Sequence, residues 1–152
     1  MEETGSVLKG SFTDFQAVKL YSLGEYLTTR SDFSEEQPLI VTSCENSDLL
    51  PLENLICCGT AGGGGHAVKL GRLSLNVFEF SLAFLGADYG VYIKSEEGGF
   101  ICGCLSGKKK EIENFKGEFE NFKPSGLYKA GRISGYSGIL EKYIKSGKSN
   151  GK

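Results

Sequence analysis

At 152 residues and 16.4 kDa the chain has room for one compact domain and not for a multi-domain enzyme. A content of 39% hydrophobic and 24% charged residues excludes a disordered polymer, and no apolar run reaches the roughly 18 residues of a membrane helix. With 17 basic and 19 acidic side chains, the net charge of −2 argues against generic nucleic-acid binding.

Val7 to Phe12 reads as a short strand. Thr13 and Gln16 fit a capping box, in which a hydroxyl and an amide satisfy the orphan donors of a helix start. Ala17, Leu20, Gly24 and Leu27 then recur at helical spacing, giving a helix with one buried stripe. After Pro38, the β-branched run Leu39-Ile40-Val41-Thr42 predicts a strand buried on both faces. Ser47 or Asp48 can cap the next helix, with Pro51 in its first turn, where a missing N–H costs little. Leu52, Leu55, Ile56 and Gly59 supply its buried side, and the block Gly62-Gly63-Gly64-Gly65 ends it.

His66 to Leu70 is a third strand, and Ser74 caps a helix running to Leu85, where Gly86 suits a left-handed C-cap. Apolar residues lie all around that helix (Val77, Phe78, Phe80, Leu82, Phe84, Leu85), which predicts heavy cover. Gly90 to Ile93 and Phe100 to Leu105 are two further strands joined by Glu96-Glu97-Gly98-Gly99, a link short enough to require an antiparallel pair. Ile112, Phe115, Phe119 and Phe122 define an amphipathic helix, weakened by about 1 kcal/mol at Gly117. The alternation predicts a three-layer α/β/α sandwich with a mostly parallel mixed sheet of about four to five strands. Residues 1–124 are expected to form this domain. Residues 125–152 read as a Gly/Ser-rich linker, a short helix from Tyr136 to Ile144 and a polar tail.

Residues 59–93 resemble the first domain of the α-D-phosphohexomutases, the phosphoglucomutase and phosphomannomutase enzymes. The resemblance is carried by Leu70-Gly71, the helix from Ser74, and Leu85-Gly86-Ala87-Asp88-Tyr89-Gly90-Val91-Tyr92-Ile93. Phe12 to Leu27 is similar to the family's first helix, Ile40 to Thr42 to its second strand, and Tyr136 to Ile144 to the helix entering its second domain. In the family, the strand corresponding to Val91–Ile93 enters Thr-Ala-Ser-His-Asn-Pro, whose serine carries the transferred phosphoryl group. This chain continues Lys94-Ser95-Glu96-Glu97-Gly98-Gly99, with Glu96 at the serine position and Ser95 one residue away. Two adjacent carboxylates oppose the negative charge that phosphoryl transfer develops. The family's Gly-Arg-Asp loop is replaced by Ser43-Cys44-Glu45-Asn46, and its metal, sugar and phosphate loops lie on later domains. The resemblance therefore implies a degenerate relative lacking the catalytic serine loop, with no catalytic, cofactor or metal residues of its own.

Other features read as structural. The glycine block follows a helix and precedes a strand, the reverse of a dinucleotide-binding turn. Gly62 to His66 also resembles the Gly-Gly-Gly-Gly-His motif of the DHH-associated phosphoesterase domains, but that family's aspartate and histidine signatures are absent. Five cysteines without an export signal predict free thiols in a reducing compartment, and a lone His66 gives Cys57, Cys58, Cys102 and Cys104 no matched zinc set. Residues 1–107 carry a net −8 and residues 108–152 a net +6, which reads as solvated surface and not as a nucleic-acid tail.

The expected protein is thus a cytoplasmic, non-catalytic binding or protein-interaction module, a pseudoenzyme with no cofactor. Its expected partners are a second copy, another protein or a sugar phosphate, with neither nucleic acid nor membrane. Lys94, Ser95, Glu96 and Glu97 form its candidate ligand or partner loop, an acidic feature for a basic surface. The alternatives are the amino-terminal part of a split or truncated phosphoglucomutase or phosphomannomutase, and a sugar-phosphate sensor.

Overall fold

The computed structural model describes residues 6–31 and 36–147. The first five residues and the polar tail from 148 onward lie outside that range. Five strands arise where apolar β-branched and aromatic runs predict them: β1 (Val7–Ser11), β2 (Leu39–Cys44), β3 (His66–Arg72), β4 (Tyr89–Glu96) and β5 (Gly99–Ser106). A sixth, β6 (Arg132–Gly135), falls in the segment expected to be a linker. The sheet order is β1-β5-β4-β2-β3-β6, so the sheet has six strands where four to five were expected. Strands β4, β2, β3 and β6 pair in parallel, and β5 and β1 join antiparallel at one edge.

The physical reason β6 escapes sequence reading is that all its side chains are exposed, leaving no alternation to detect. Its backbone makes the strand. The N–H groups of Lys129, Gly131 and Arg132 donate to the carbonyls of Gly62, Ala61 and Gly65, steering the chain alongside β3. Pairing then runs from His66↔Arg132 to Lys69↔Gly135.

Helices cover both faces. On one side, α1 (Ala17–Arg30), α2 (Leu50–Gly62) and the short α4 (Phe115–Asn121) bury Leu23, Leu27, Ile56 and Phe115 against Ile40, Val91, Ile93 and Cys102. On the other, α3 (Leu75–Leu85) lays Phe78 and Leu82 on Val41, Val68 and Tyr92. The last helix, α5 (Ile139–Lys145), packs on α3 through an edge-on Phe80–Tyr143 pair with centroids 5.5 Å apart. These are the three layers the sequence predicts.

Helix ends divide into those the sequence predicts and those it does not. Ser74 accepts from the Val77 N–H at 3.5 Å, and Gly86 closes α3 in the left-handed region at φ +72°. The Thr13–Gln16 capping box does not form. Helix α1 starts only at Ala17, so Thr13 is out of reach of its first turn and its hydroxyl pairs with Ser11 Oγ instead. Asn46, and not Ser47 or Asp48, caps the 3-10 turn Ser47–Leu49 that leads into α2, accepting from the Asp48 N–H at 3.0 Å. Helix α3 is less covered than expected, since Phe84 on its outer flank is 45% exposed.

The contact between α1 and α2 sets the spacing of that layer. Gly59 lies against the Tyr21 carbonyl and Gly24 against the Ile56 carbonyl, so the backbones cross where no side chain separates them. A methyl at either position would overlap a main-chain oxygen that cannot move without its helix. Gly59→Ala is therefore expected to destabilise the protein by about 3 kcal/mol, against the roughly 1 kcal/mol that alanine ordinarily gains in a helix. Urea unfolding of the variant checks this, and a stability at or above wild type would refute the close crossing.

Candidate functional site

The sheet order fixes where a ligand crevice can open. The chain passes from β2 through α2 to β3 on one side of β2, then back through α3 to β4 on the other. Helices leave in opposite directions at the carboxyl ends of these strands, and open α/β sheets bind ligands at such a switch point. A crevice of about 630 Å³ lies there. Glu45 follows β2, Arg72 ends β3, Lys94 stands near the end of β4, and Ser74 begins α3; Leu140 of α5 borders it.

Buried polar contacts hold these residues in place. Glu53 of α2 is fully buried, and its carboxylate accepts from Thr42 Oγ1 at 2.7 Å, from the Gly71 N–H at 3.2 Å and from the Cys44 thiol at 3.7 Å. One side chain thus ties α2 to β2 and to the residue preceding Arg72. Tyr92 Oη donates to the Leu73 carbonyl at 2.6 Å and fixes the loop between β3 and α3. Two cations, one carboxylate and the amino end of an 11-residue helix make the crevice electropositive. Such an arrangement can hold an anionic group.

The four residues of the candidate loop do not act together. Pairing of β4 with β5 continues through Lys94↔Ile101 and Ser95↔Phe100 to Glu96↔Gly99, leaving only Glu97 and Gly98 as the turn. Gly98 takes φ +75°, and its carbonyl accepts from the Phe12 N–H at 3.0 Å, so β1 braces the hairpin. Lys94 lines the crevice. Ser95, the next residue on a pleated strand, is turned from it: the Asn46 amide donates to Ser95 Oγ at 2.8 Å, and the Ser95 N–H donates to Glu45 at 2.8 Å. Glu96 and Glu97 are exposed at the hairpin tip.

The signal for Glu45 and Arg72 lies in their positions at or beside strand ends, which becomes informative only once the strand order is known. The thiols are free, and Cys44, Cys57 and Cys102 are buried. Burial pushes Cys44, Cys57 and Cys104 up to about 12, so they stay protonated and unreactive at neutral pH. Among the described residues no group of three or more His, Cys, Asp and Glu side chains is placed to hold a metal ion, and no helix is long and apolar enough to cross a membrane.

No family model matches the sequence, and no curated protein matches it. Solved structures do. A phosphoglucomutase/phosphomannomutase family protein from Burkholderia thailandensis superposes with a TM-score of 0.74 at 13% identity, over 93% of this chain and 34% of its own. A candidate phosphomannomutase from Thermus thermophilus gives 0.72 at 14% identity, over 99% of this chain and 36% of its own. The fold is phosphohexomutase-like. The chain spans about a third of the length of either phosphohexomutase-like neighbour.

At the opposite end of the sheet, β6 gives His66 a partner that the sequence does not reveal. His66 Nε2 lies 2.7 Å from Ser134 Oγ, and no carboxylate completes a triad among the described residues. Burial, and then the nearby Arg132 charge, lower the His66 pKa from 6.5. A base whose pKa is depressed by folding is protonated more readily in the unfolded chain. Its contribution to stability is complete above 6.5 and is lost as pH falls through that value to the folded-state pKa. His66→Gln is expected to unfold at a urea concentration that falls less between about pH 7.5 and 5.5 than the wild type's does. Equal falls in both proteins would contradict this assignment.

Proposed function

We propose that the chain is a non-catalytic binding module on a phosphohexomutase-like fold, whose crevice at the strand ends receives an anionic ligand. The β4–β5 hairpin carries the reading. Where the family resemblance calls for a loop bearing a reactive serine, two residues turn one strand into the next, and Ser95 is engaged by Asn46 and Glu45. Phosphoryl transfer needs a positioned nucleophile and compensation of developing charge. The hairpin offers a hydrogen-bonded serine beside two exposed carboxylates. Binding asks less of the site: Arg72 and Lys94 at the mouth of a crevice suffice to draw in a phosphate, and a hexose phosphate is the ligand class that the fold suggests.

A second reading has its own support. Because the chain spans about a third of its structural neighbours, it also fits the amino-terminal part of a split phosphohexomutase completed by another polypeptide. The two readings separate in one experiment. The binding module converts neither glucose 1-phosphate nor mannose 1-phosphate to its 6-phosphate, alone or in a lysate of its own cells freed of other mutases. It is stabilised by one of these sugars, by about 2.7 kcal/mol at 100 times the dissociation constant, and Arg72→Ala abolishes the thermal shift. Conversion that appears on adding a second polypeptide would establish the split enzyme. Absence of any shift across a hexose phosphate panel would remove the sugar-phosphate ligand.

A further inference from the structure

We propose that the ligand of the crevice is an amphiphilic phosphate, a phosphomonoester carrying an apolar chain. Its anionic head sits at Arg72 and Lys94, and its chain runs through a second hollow that crosses β4, β5 and β1. This inference rests on the anion-binding reading of the crevice and narrows its ligand class.

The second hollow exists because α3 packs over only part of its face of the sheet. Phe78 and Leu82 lie on Val41, Val68 and Tyr92, which belong to β2, β3 and β4. Side chains alternate along β5, so Phe100 and Cys102 enter the core shared with α1 and α4, while Ile101, Gly103 and Leu105 face the α3 side. The cross-strand row Val7, Gly103, Tyr92 runs through this surface. A trough of about 320 Å³ opens over it, bordered by Leu75 and Glu79 of α3.

Gly103 gives the trough its depth. A β-carbon there would meet only the Tyr92 carbonyl oxygen, at 3.9 Å, so no packing contact excludes a side chain. Its backbone does not ask for glycine either, because its φ is not positive. By contrast, a methyl at Gly90 would strike Leu82 and Phe78, and one at Gly99 the Gly10 carbonyl. Gly103 is thus a strand glycine whose missing side chain leaves room for a group from outside the chain. Val7, Ile101 and Leu105 around it are half-buried and apolar, a surface that gains by being covered.

The neighbouring crevice chooses the occupant. Leu75, Tyr92 and Lys94 line both hollows, so the two adjoin, with Lys94 between the apolar trough and the Arg72 end of the crevice. Arg72 and Lys94 attract an anion. Glu45 is occupied by the Ser95 N–H at 2.8 Å, and Glu79 disfavours a second anionic group inside the trough. From Tyr92 to Val7 the trough crosses two strand spacings, about 10 Å, the reach of an extended chain of about eight carbons. Its floor is a sheet face, whose main-chain groups are spent within the ladder, so it suits a hydrocarbon better than a peptide backbone. A hexose phosphate occupies the crevice alone, whereas a phosphate with such a chain occupies both hollows.

The test titrates the full-length chain, labelled with 15N and at its methyl groups, with methyl phosphate, octyl phosphate below its micelle concentration, and octyltrimethylammonium. Vesicles of phosphatidic acid in phosphatidylcholine form a fourth arm. Octyl phosphate is expected to bind at least about tenfold tighter than methyl phosphate and to shift the Gly103 amide and the Ile101 and Leu105 methyls. The ammonium analogue should not bind, and Arg72→Ala should lose both phosphates. Gly103→Leu fills the trough, so the preference for octyl over methyl phosphate should fall to about twofold or less. Thermal melting checks that both variants fold, and the methyl shifts of the unaltered chain probe the trough without any substitution. Equal affinity for the two phosphates, a preference that survives Gly103→Leu, equal binding of the ammonium analogue, binding to vesicles alone, or self-association that closes the trough would each overturn the proposal. If methyl phosphate binds through Arg72 without a gain from the octyl chain, the trough falls and the anion crevice stands. Mutase activity, assayed separately, would remove the non-catalytic reading alone.

Discussion

The functional side of this structure depends on the register between β4 and β5. Because Glu96 still pairs with Gly99, the polypeptide has only Glu97 and Gly98 with which to reverse direction. A turn that short needs a residue at positive φ, which Gly98 supplies, and it has no slack from which to build a loop. Strand alternation then decides which side chain meets the crevice: Lys94 does, and Ser95 does not. The hydrogen bond from Phe12 to Gly98 carries the constraint into β1, so the sheet edge and the hairpin are parts of one arrangement.

The crevice is the product of longer-range constraints. Its cations come from different strands, and they converge because β2 has β3 on one side and β4 on the other. Glu53 secures the junction from below, since its carboxylate is shared by a β2 hydroxyl and the Gly71 amide. Burying a carboxylate costs several kcal/mol unless it is hydrogen-bonded, and here three donors surround it. The helical layer below is kept thin by the Gly24 and Gly59 crossing, which allows α2 to lie close to α1 while it still reaches β2. Leu140 borders the crevice because α5 folds back over α3, so residues beyond Pro124 contribute to the site.

Much of this architecture was legible in the sequence. The β-branched run at Leu39–Thr42, the Ser74 cap and the Gly86 terminator each express a local physical preference, and each appears in the structure. Glu96 to Gly99 announced a hairpin by length alone. What escaped was made by the backbone or by distance. Strand β6 buries nothing and is held by main-chain bonds, so its composition carries no signal. Arg72 reaches the crevice only because β3 lies beside β2, a pairing that no local pattern in the sequence specifies. Ser134 met His66 only because β6 exists. The capping box at Thr13 shows the converse failure, a correct motif set a turn too early for the helix that follows.

Ser95 is a strand residue held by Asn46 and Glu45, a setting for a structural residue and not for a carrier of phosphate. The most direct measurement is tandem mass spectrometry of the folded chain after incubation with a hexose bisphosphate. The account predicts unmodified Ser95, with the mass of the chain unchanged. A stoichiometric phosphate on Ser95 would contradict it.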